Sequence, residues 1–194
     1  MNKKHRHFIL NKPYNYLSQF VYELKRKSSK NLLGQLYDFP DGIMAIGRLD
    51  EKSEGLLLLT TDGKVSHTIR SNKVEKEYYA QVDGIINQEA INKMKSGVEI
   101  GFNGTKYITK PCSSFILDKE PKLPIKNRKV RDKRHGPKSW VSITLTEGKF
   151  RQVRKMTAAV GFPTLRLVRV RIDSITLDIN AGEVVEVVSF IKNK

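Results

Sequence analysis

Asp50 is the residue whose placement asks for a chemical reason. It lies in AIGRLDEKSEGLLLLTTDG, Ala45 to Gly63, two residues after Arg48 and just before the most apolar run of the chain. A carboxylate beside an apolar strand is costly to desolvate unless something pairs with it. Residue type alone leaves two readings open: a fixed ion pair or turn cap, or an acid held ready for a ligand. A second cluster is TEGKFRQVRKM, which places Arg151, Arg154 and Lys155 in the first turns of a helix whose other face is apolar. A helix N-terminus with cationic side chains suits phosphates or a carboxylate, and a solvated basic face has the same composition. A third is KEYYAQV, whose Tyr78 and Tyr79 point to opposite faces of a strand. One ring can then pack inside while the other stacks on a ligand ring.

The elements that must hold these residues are short. HFILNKPY reads as a strand stopped at Pro13, which has no amide donor. YELKRKSSKNLLGQLYDFPDG is a basic stretch with a short helix expected near Leu32–Tyr37. IMAIGRL and GLLLLT both read as buried strands, with DEKSEG as the turn between or beside them. Asp62 is the expected N-cap of a short helix through Val65–Ile69. KEYYAQVDG alternates as a strand, NQEAINKMKSG as a helix ended by Gly97, and TKYITKPCSSFIL as further strands. SWVSITLTEG is a strand, and KFRQVRKMTAAVG a helix with Phe150, Val153, Met156 and Val160 on one face. TLRLVRVRI and GEVVEVV complete the strands. Strands mixed with a few helices, without regular βαβ alternation, predict an α+β fold.

Charge narrows the partner. Thirty-six Lys and Arg against 20 Asp and Glu give a formal charge of +16 over 194 residues, an excess suited to a polyanion. The excess is densest in DKEPKLPIKNRKVRDKRHGPK, residues 118–138, with three prolines and nine Lys or Arg against three acids. That segment has no apolar period and reads as a long exposed loop. The single cysteine, Cys112, cannot close an internal disulfide, and the four histidines show no zinc-type spacing with it. No signal peptide and no apolar run long enough for a membrane span is visible. A cytoplasmic protein is expected.

Together these stretches resemble the pseudouridine synthases, in the branch that contains RsuA, RluB, RluE and RluF. GRLDEKSEGLLLLTTDG is similar to that branch's G-R-L-D-x-x-[ST]-x-G-L-[LIV]-[LIV]-[LIV]-T-x-D-G signature. The likeness extends through FILNKPY, KEYYAQVDG and LTEGKFRQVRKMTAAVGFPTLRLVRV, in the same order and over nearly the whole chain. The SEG after the acid, the basic Pro-containing loop and GFPTLRL look most like the RluE type. One departure is Ile172-Asp173, where the family usually has Ile-Gly or Met-Gly. The resemblance implies one catalytic domain over 1–194, a mixed, mostly antiparallel sheet in two lobes with the active-site cleft between them. The chain starts almost at the NKP segment, so no N-terminal S4 RNA-binding domain is expected.

The resemblance further implies isomerisation of uridine to pseudouridine, with no cofactor and no metal. Asp50 is then the catalytic carboxylate, acting as nucleophile at the sugar or taking a sugar proton. Arg154 matches the basic residue that pairs with the family's aspartate, and an opposite charge keeps a carboxylate ionised. Tyr78 matches the tyrosine that stacks on the target base, and Val153 the apolar residue on its other side. Arg48 is a candidate contact to the rearranged RNA backbone, with Lys12 and Gln152 as weaker candidates. Phosphate contacts are expected from the basic loop, at Lys126, Arg128, Lys129, Arg131, Lys133 and Arg134. Trp140 and Tyr107 are read as core or loop anchors. The expected partner is ribosomal RNA, most of all large-subunit (23S) RNA, bound by a monomer. Small-subunit RNA or transfer RNA as substrate, a non-catalytic ribosome-assembly protein on this fold, and a glycosidic hydrolase are the alternatives. A hydrolase would call for a second carboxylate across the bond, and none is evident.

Overall fold

The computed structural model describes residues 4–21, 30–71, 73–124 and 136–190. The first strand, β1 (His7–Lys12), ends before Pro13 as expected. β2 (Tyr16–Leu17) and β3 (Asn31–Leu32) form a small parallel pair, followed by one 3-10 turn at Leu33–Gln35 in place of the longer helix expected there. β4 is only Met44–Ala45, far shorter than the strand expected over Ile43–Leu49. The amide of Ile46 still reaches the Leu58 carbonyl at 2.8 Å, but Gly47 then takes a positive φ of 74° and turns the chain away. Arg48, Leu49 and Asp50 therefore lie in a loop rather than on a strand.

The leucine run becomes β5 (Glu54–Thr60), with every residue buried. Alternation sends Leu57 and Leu59 against Phe8, Leu10 and Leu33, and sends Leu56 and Leu58 against Ile46, Ile172 and Phe190. A strand covered on both faces has no solvent side, which is why the run carries no polar alternation. Each fully buried leucine contributes roughly 1.5–3 kcal/mol of transfer free energy. Asp62 caps α1 (Gly63–Arg70), accepting from the amides of Lys64 and Val65.

The second half of the chain builds β6 (Lys76–Asp83), α2 (Gln88–Ser96), β7 (Glu99–Phe102), β8 (Thr105–Ile108) and β9 (Ser113–Leu117). It then builds β10 (Lys138–Leu145), α3 (Gln152–Ala159), β11 (Thr164–Ile172), β12 (Ile175–Thr176) and β13 (Val184–Val187). Asn87 caps α2 and Gly97 ends it, as the spacing predicts. Asp173 stands at φ 50°, the turn conformation that the family's glycine would take, and Asp tolerates it better than most residues. Val153 and Met156 of α3 are buried, but Phe150 is 65% exposed. The helix starts two residues after Phe150, behind an Arg151 at φ 54°, so Phe150 falls off the predicted apolar face.

The main sheet runs β13-β1-β5-β11-β6-β10-β9, with β4 on β5 and β12 on β11. It is antiparallel except at β5–β11, where only Val168↔Glu54 and Arg169↔Gly55 pair, in parallel. A Cβ on Gly55, itself at φ 103°, would collide with the Arg169 backbone. Glycine is therefore required where the two halves of the sheet meet. On one side of that junction lie the packing clusters around β1 and β5. On the other, β6, β10 and β11 pack with α2 and α3, through residues such as Val82, Ile91, Met94, Ile143 and Met156. Among the described residues no helix is long and apolar enough to cross a membrane.

Candidate active site

A cleft of about 910 Å³ opens at this junction, and Arg48, Asp50, Tyr78, Gln152, Val153 and Arg169 are among its lining residues. Asp50 sits in a tight turn, with the Ser53 amide donating to the Asp50 carbonyl at 2.9 Å. Its neighbours are tied down on both sides. The Ser18 hydroxyl accepts from the Leu49 amide at 3.0 Å and donates to the Leu49 carbonyl at 2.8 Å. The Asn15 amide donates to the Glu51 carbonyl at 2.9 Å. A carboxylate beside a core strand is thus accommodated by a pinned, half-buried turn ahead of β5.

Arg154 fixes the same turn from the other half of the sheet. Its Nη2 donates to the Lys52 carbonyl at 2.6 Å and lies 3.4 Å from the Ser53 hydroxyl, and Nη1 donates to the Thr164 carbonyl at 3.3 Å. The expected ion pair with Asp50 is not among the salt bridges of the described residues. From the first turn of α3, the guanidinium holds the Lys52 carbonyl, two residues past the acid, and the Thr164 carbonyl of β11, and so ties down the loop that carries Asp50.

Tyr78, half-buried, stands on the cleft face of β6 directly opposite Arg169 of β11. Val153 is buried at the start of α3 and also lines the cleft. Arg48 is exposed at the rim. Gln152 also borders the cleft but is 4% exposed, and its amide is committed: Nε2 donates to Glu147 at 2.6 Å and Oε1 accepts from the Lys149 amide. Glu147 gathers three donors, from Tyr107, the Lys110 amide and Gln152. Burial works to raise its pKa, but these hydrogen bonds hold the carboxyl below its ordinary value. The network fixes the loop before α3, and Tyr107 is a loop anchor as expected; Trp140 is 5% exposed in the core.

Lys12 has no exposed surface. Its Nζ donates to the carbonyls of Pro13 and Tyr16, and burial pushes its pKa down to about 7, against the pull of Glu54, Asp50 and Glu51. Neither Lys12 nor Gln152 presents a free donor to a bound polyanion, and both instead hold segments that flank the cleft. Lys126, Arg128, Lys129, Arg131, Lys133 and Arg134 lie outside the described residues. The segment leading to them is tied to the sheet, because Arg166 Nη2 donates to the Pro124 carbonyl at 3.3 Å while pairing with buried Glu54 at 2.8 Å.

Residue-by-residue reading missed Arg169, which is 4% exposed and donates through Nε to the Leu56 carbonyl at 2.7 Å. The available signal was the middle one of three arginines in the apolar strand TLRLVRVRI. It also missed Ser18, whose role depends on a contact 31 residues away. The assembled site offers a half-buried acid, an aromatic floor, an apolar wall and cations close by. Such a set can hold a flat, ring-bearing anionic ligand and present a carboxylate to it. Among the described residues no group of side chains is arranged to hold a metal ion.

Comparison with known proteins points the same way. Residues 6–159 match the family described as RNA pseudouridylate synthase. The chain is 41% identical over 172 residues to the ribosomal large subunit pseudouridine synthase E of Xanthomonas axonopodis pv. citri, covering 88% of this chain and 87% of that protein. It is 40% identical over 178 residues to the protein of the same name from Vibrio parahaemolyticus, covering 90% and 71%. Among solved structures, one described as a pseudouridylate synthase superposes with a TM-score of 0.74 at 28% identity, covering 95% of this chain and 71% of that one.

Proposed function

The chain belongs to the RNA pseudouridylate synthase family and is a pseudouridine synthase, and from that premise we propose that it isomerises a specific uridine of large-subunit ribosomal RNA with Asp50 as the catalytic carboxylate. The observation that carries this reading is that Asp50 and Tyr78, far apart in sequence, line one cleft. The names of the similar Xanthomonas and Vibrio proteins favour the large subunit. A single domain over 1–194 and action as a monomer without cofactor belong to the same reading.

The reaction breaks the bond from C1′ to N1, turns the ring and joins C1′ to C5. A uridine must first leave its stack to reach the cleft, and that unstacking is part of the binding cost. The base then lies between Tyr78 and Val153. Asp50 attacks C1′ or takes a sugar proton, and the pinned turn spares it reorientation during the step. Arg154 keeps the Lys52–Ser53 segment, and so the acid, at a fixed height over the base. Arg48 at the rim meets the RNA backbone. The basic 118–138 segment adds sequence-blind phosphate contacts, and RNA shape supplies the choice of site.

Tritium release tests the reading, because C5 loses its hydrogen only when C5 becomes bonded to C1′. Transcripts of 23S and 16S RNA, labelled at uracil C5, are incubated separately with wild-type protein and Asp50→Asn. Release from 23S RNA by wild type alone supports the proposal. Release from 16S RNA only would overturn the choice of subunit, and release by Asp50→Asn would overturn the carboxylate.

A further inference from the structure

Arg169 is a cation that the fold has buried without a salt bridge among the described residues. None of the ion pairs among the described residues includes it. Nε is held by the Leu56 carbonyl, while Nη2 is buried with no hydrogen-bond partner. Removing one partner from a buried charge is among the costliest changes in a protein, so an uncompensated guanidinium calls for a reason. Nearby cations are satisfied by carbonyls. Lys76, also in the cleft lining, donates to the carbonyls of Ser71 and Val74, and Lys12 to those of Pro13 and Tyr16. Burial lowers the pKa of both lysines, and Arg169 adds to the lowering. Arg169 thus stands beside two lysines whose ammonium groups are already held by backbone carbonyls.

Position says what this charge faces. Arg169 and Tyr78 are direct partners on the β11–β6 ladder, and the Arg169 Cζ lies 6.0 Å from the centre of the Tyr78 ring. Partners on a ladder project side by side from one face. A pyrimidine stacked on the Tyr78 ring lies beside Arg169 and can turn its carbonyl edge toward it. Whichever route Asp50 takes, the electron pair of the C1′–N1 bond leaves with the ring, and the negative charge spreads over N1, O2 and O4. The pair returns when C5 bonds to C1′, the C5 proton then departs to a base while N1 takes up a proton, and nothing is oxidised or reduced.

We propose that Arg169 is a further catalytic residue: its guanidinium donates to a uracil carbonyl oxygen and carries the charge of the detached ring. A preorganised cation in a water-poor site is most effective where charge develops only during the reaction. The proposal deepens the functional reading above and rests on it.

The test uses full-length protein and an RNA in which wild type forms pseudouridine, made with uridine or with 5-fluorouridine at the target. Fluorine at C5 stabilises the detached ring anion, so departure then depends less on Arg169. Loss of the N-linked nucleoside is followed in a single turnover with wild type, Arg169→Gln and Arg169→Lys. Arg169→Gln is expected to slow the uridine substrate about 100-fold or more and the fluorinated one at least about tenfold less, with Arg169→Lys in between. Both substrates are read on one preparation, so the ratio does not depend on how much of a variant is folded. Equal slowing on both substrates, or none, overturns this inference alone. Wild-type protein that forms pseudouridine in no ribosomal RNA overturns the functional reading and this inference with it.

Discussion

Arg154 grips the Lys52 carbonyl at 2.6 Å across 102 residues of sequence, and this bond joins helix α3 to the turn that carries Asp50. The residue therefore acts on the acid through the backbone. Arg154→Ala should lower kcat at saturating RNA by about 100-fold, the usual cost of an ångström-scale misplacement of a reacting group. RNA affinity should stay within about threefold, since Nη1 and Nη2 already hold the Thr164 and Lys52 carbonyls. Single-turnover rates and filter binding on the same variant check this, and a variant that loses affinity but keeps its rate would place Arg154 on the RNA instead.

Asp50→Asn preserves the shape of the turn, because the turn is closed by backbone bonds and by Ser18. Turnover should vanish while RNA binding changes by less than about 1 kcal/mol. Tritium release and fluorescence anisotropy read the two quantities separately.

Glu54 and Arg166 form a buried ion pair at 2.8 Å, next to the first residue pair that joins the two halves of the sheet. Removing one partner, as in Arg166→Met, leaves a carboxylate buried and should cost about 3–5 kcal/mol of stability. The double change Glu54→Leu with Arg166→Met should recover most of that loss. Denaturant unfolding of the two variants decides it, and equal losses in both would mean that packing, not charge, dominates.

Lys12 makes stability depend on pH in an unusual direction. Its pKa is about 7 in the folded protein, and about 10.4 is ordinary for a free lysine. Between those values the unfolded chain binds more protons than the folded one, so stability rises with pH there, by up to about 1.4 kcal/mol per unit. Below pH about 7 the lysine is charged in both states and the full burial cost is felt. Unfolding free energies of wild type and Lys12→Met at pH 7 and pH 9 should diverge in favour of wild type at the higher pH. A constant difference would mean that Lys12 does not titrate in this range.

Charge reversal of Lys126, Arg128, Lys129 and Arg131 should weaken RNA binding and flatten its salt dependence, by about 0.7–0.9 in the log–log slope for each phosphate that is no longer neutralised. Binding measured from low to physiological salt gives the slope. An unchanged slope would show that these side chains do not meet phosphates.

Local pattern carried most of the architecture. The leucine run, the Asp62 and Asn87 caps, the Gly97 stop and the alternation of KEYYAQVD all report short-range geometry, and each stands where its spacing put it. The misses lie where local pattern competes with a distant contact. Ile43–Leu49 has the composition of a strand, yet the Gly47 turn ends the pairing after Ala45. Phe150 has helical spacing to Val153, but Arg151 in a left-handed conformation starts the helix too late to include it.

The candidate site divides along the same line. Asp50, Tyr78, Val153 and Arg154 were legible because residue type and order in the chain match a long signature, and that much the sequence determined by itself, together with the fold class and the basic charge. What Arg154 bonds to, why Lys12 and Gln152 face inward, and that Arg169 stands beside Tyr78 were decided only in three dimensions. Each of these depends on which backbone carbonyl or strand neighbour comes within hydrogen-bond reach, across separations of up to 113 residues. Side-chain type states what a residue can donate or accept, and only the packed sheet determines which partner it meets and whether water can compete.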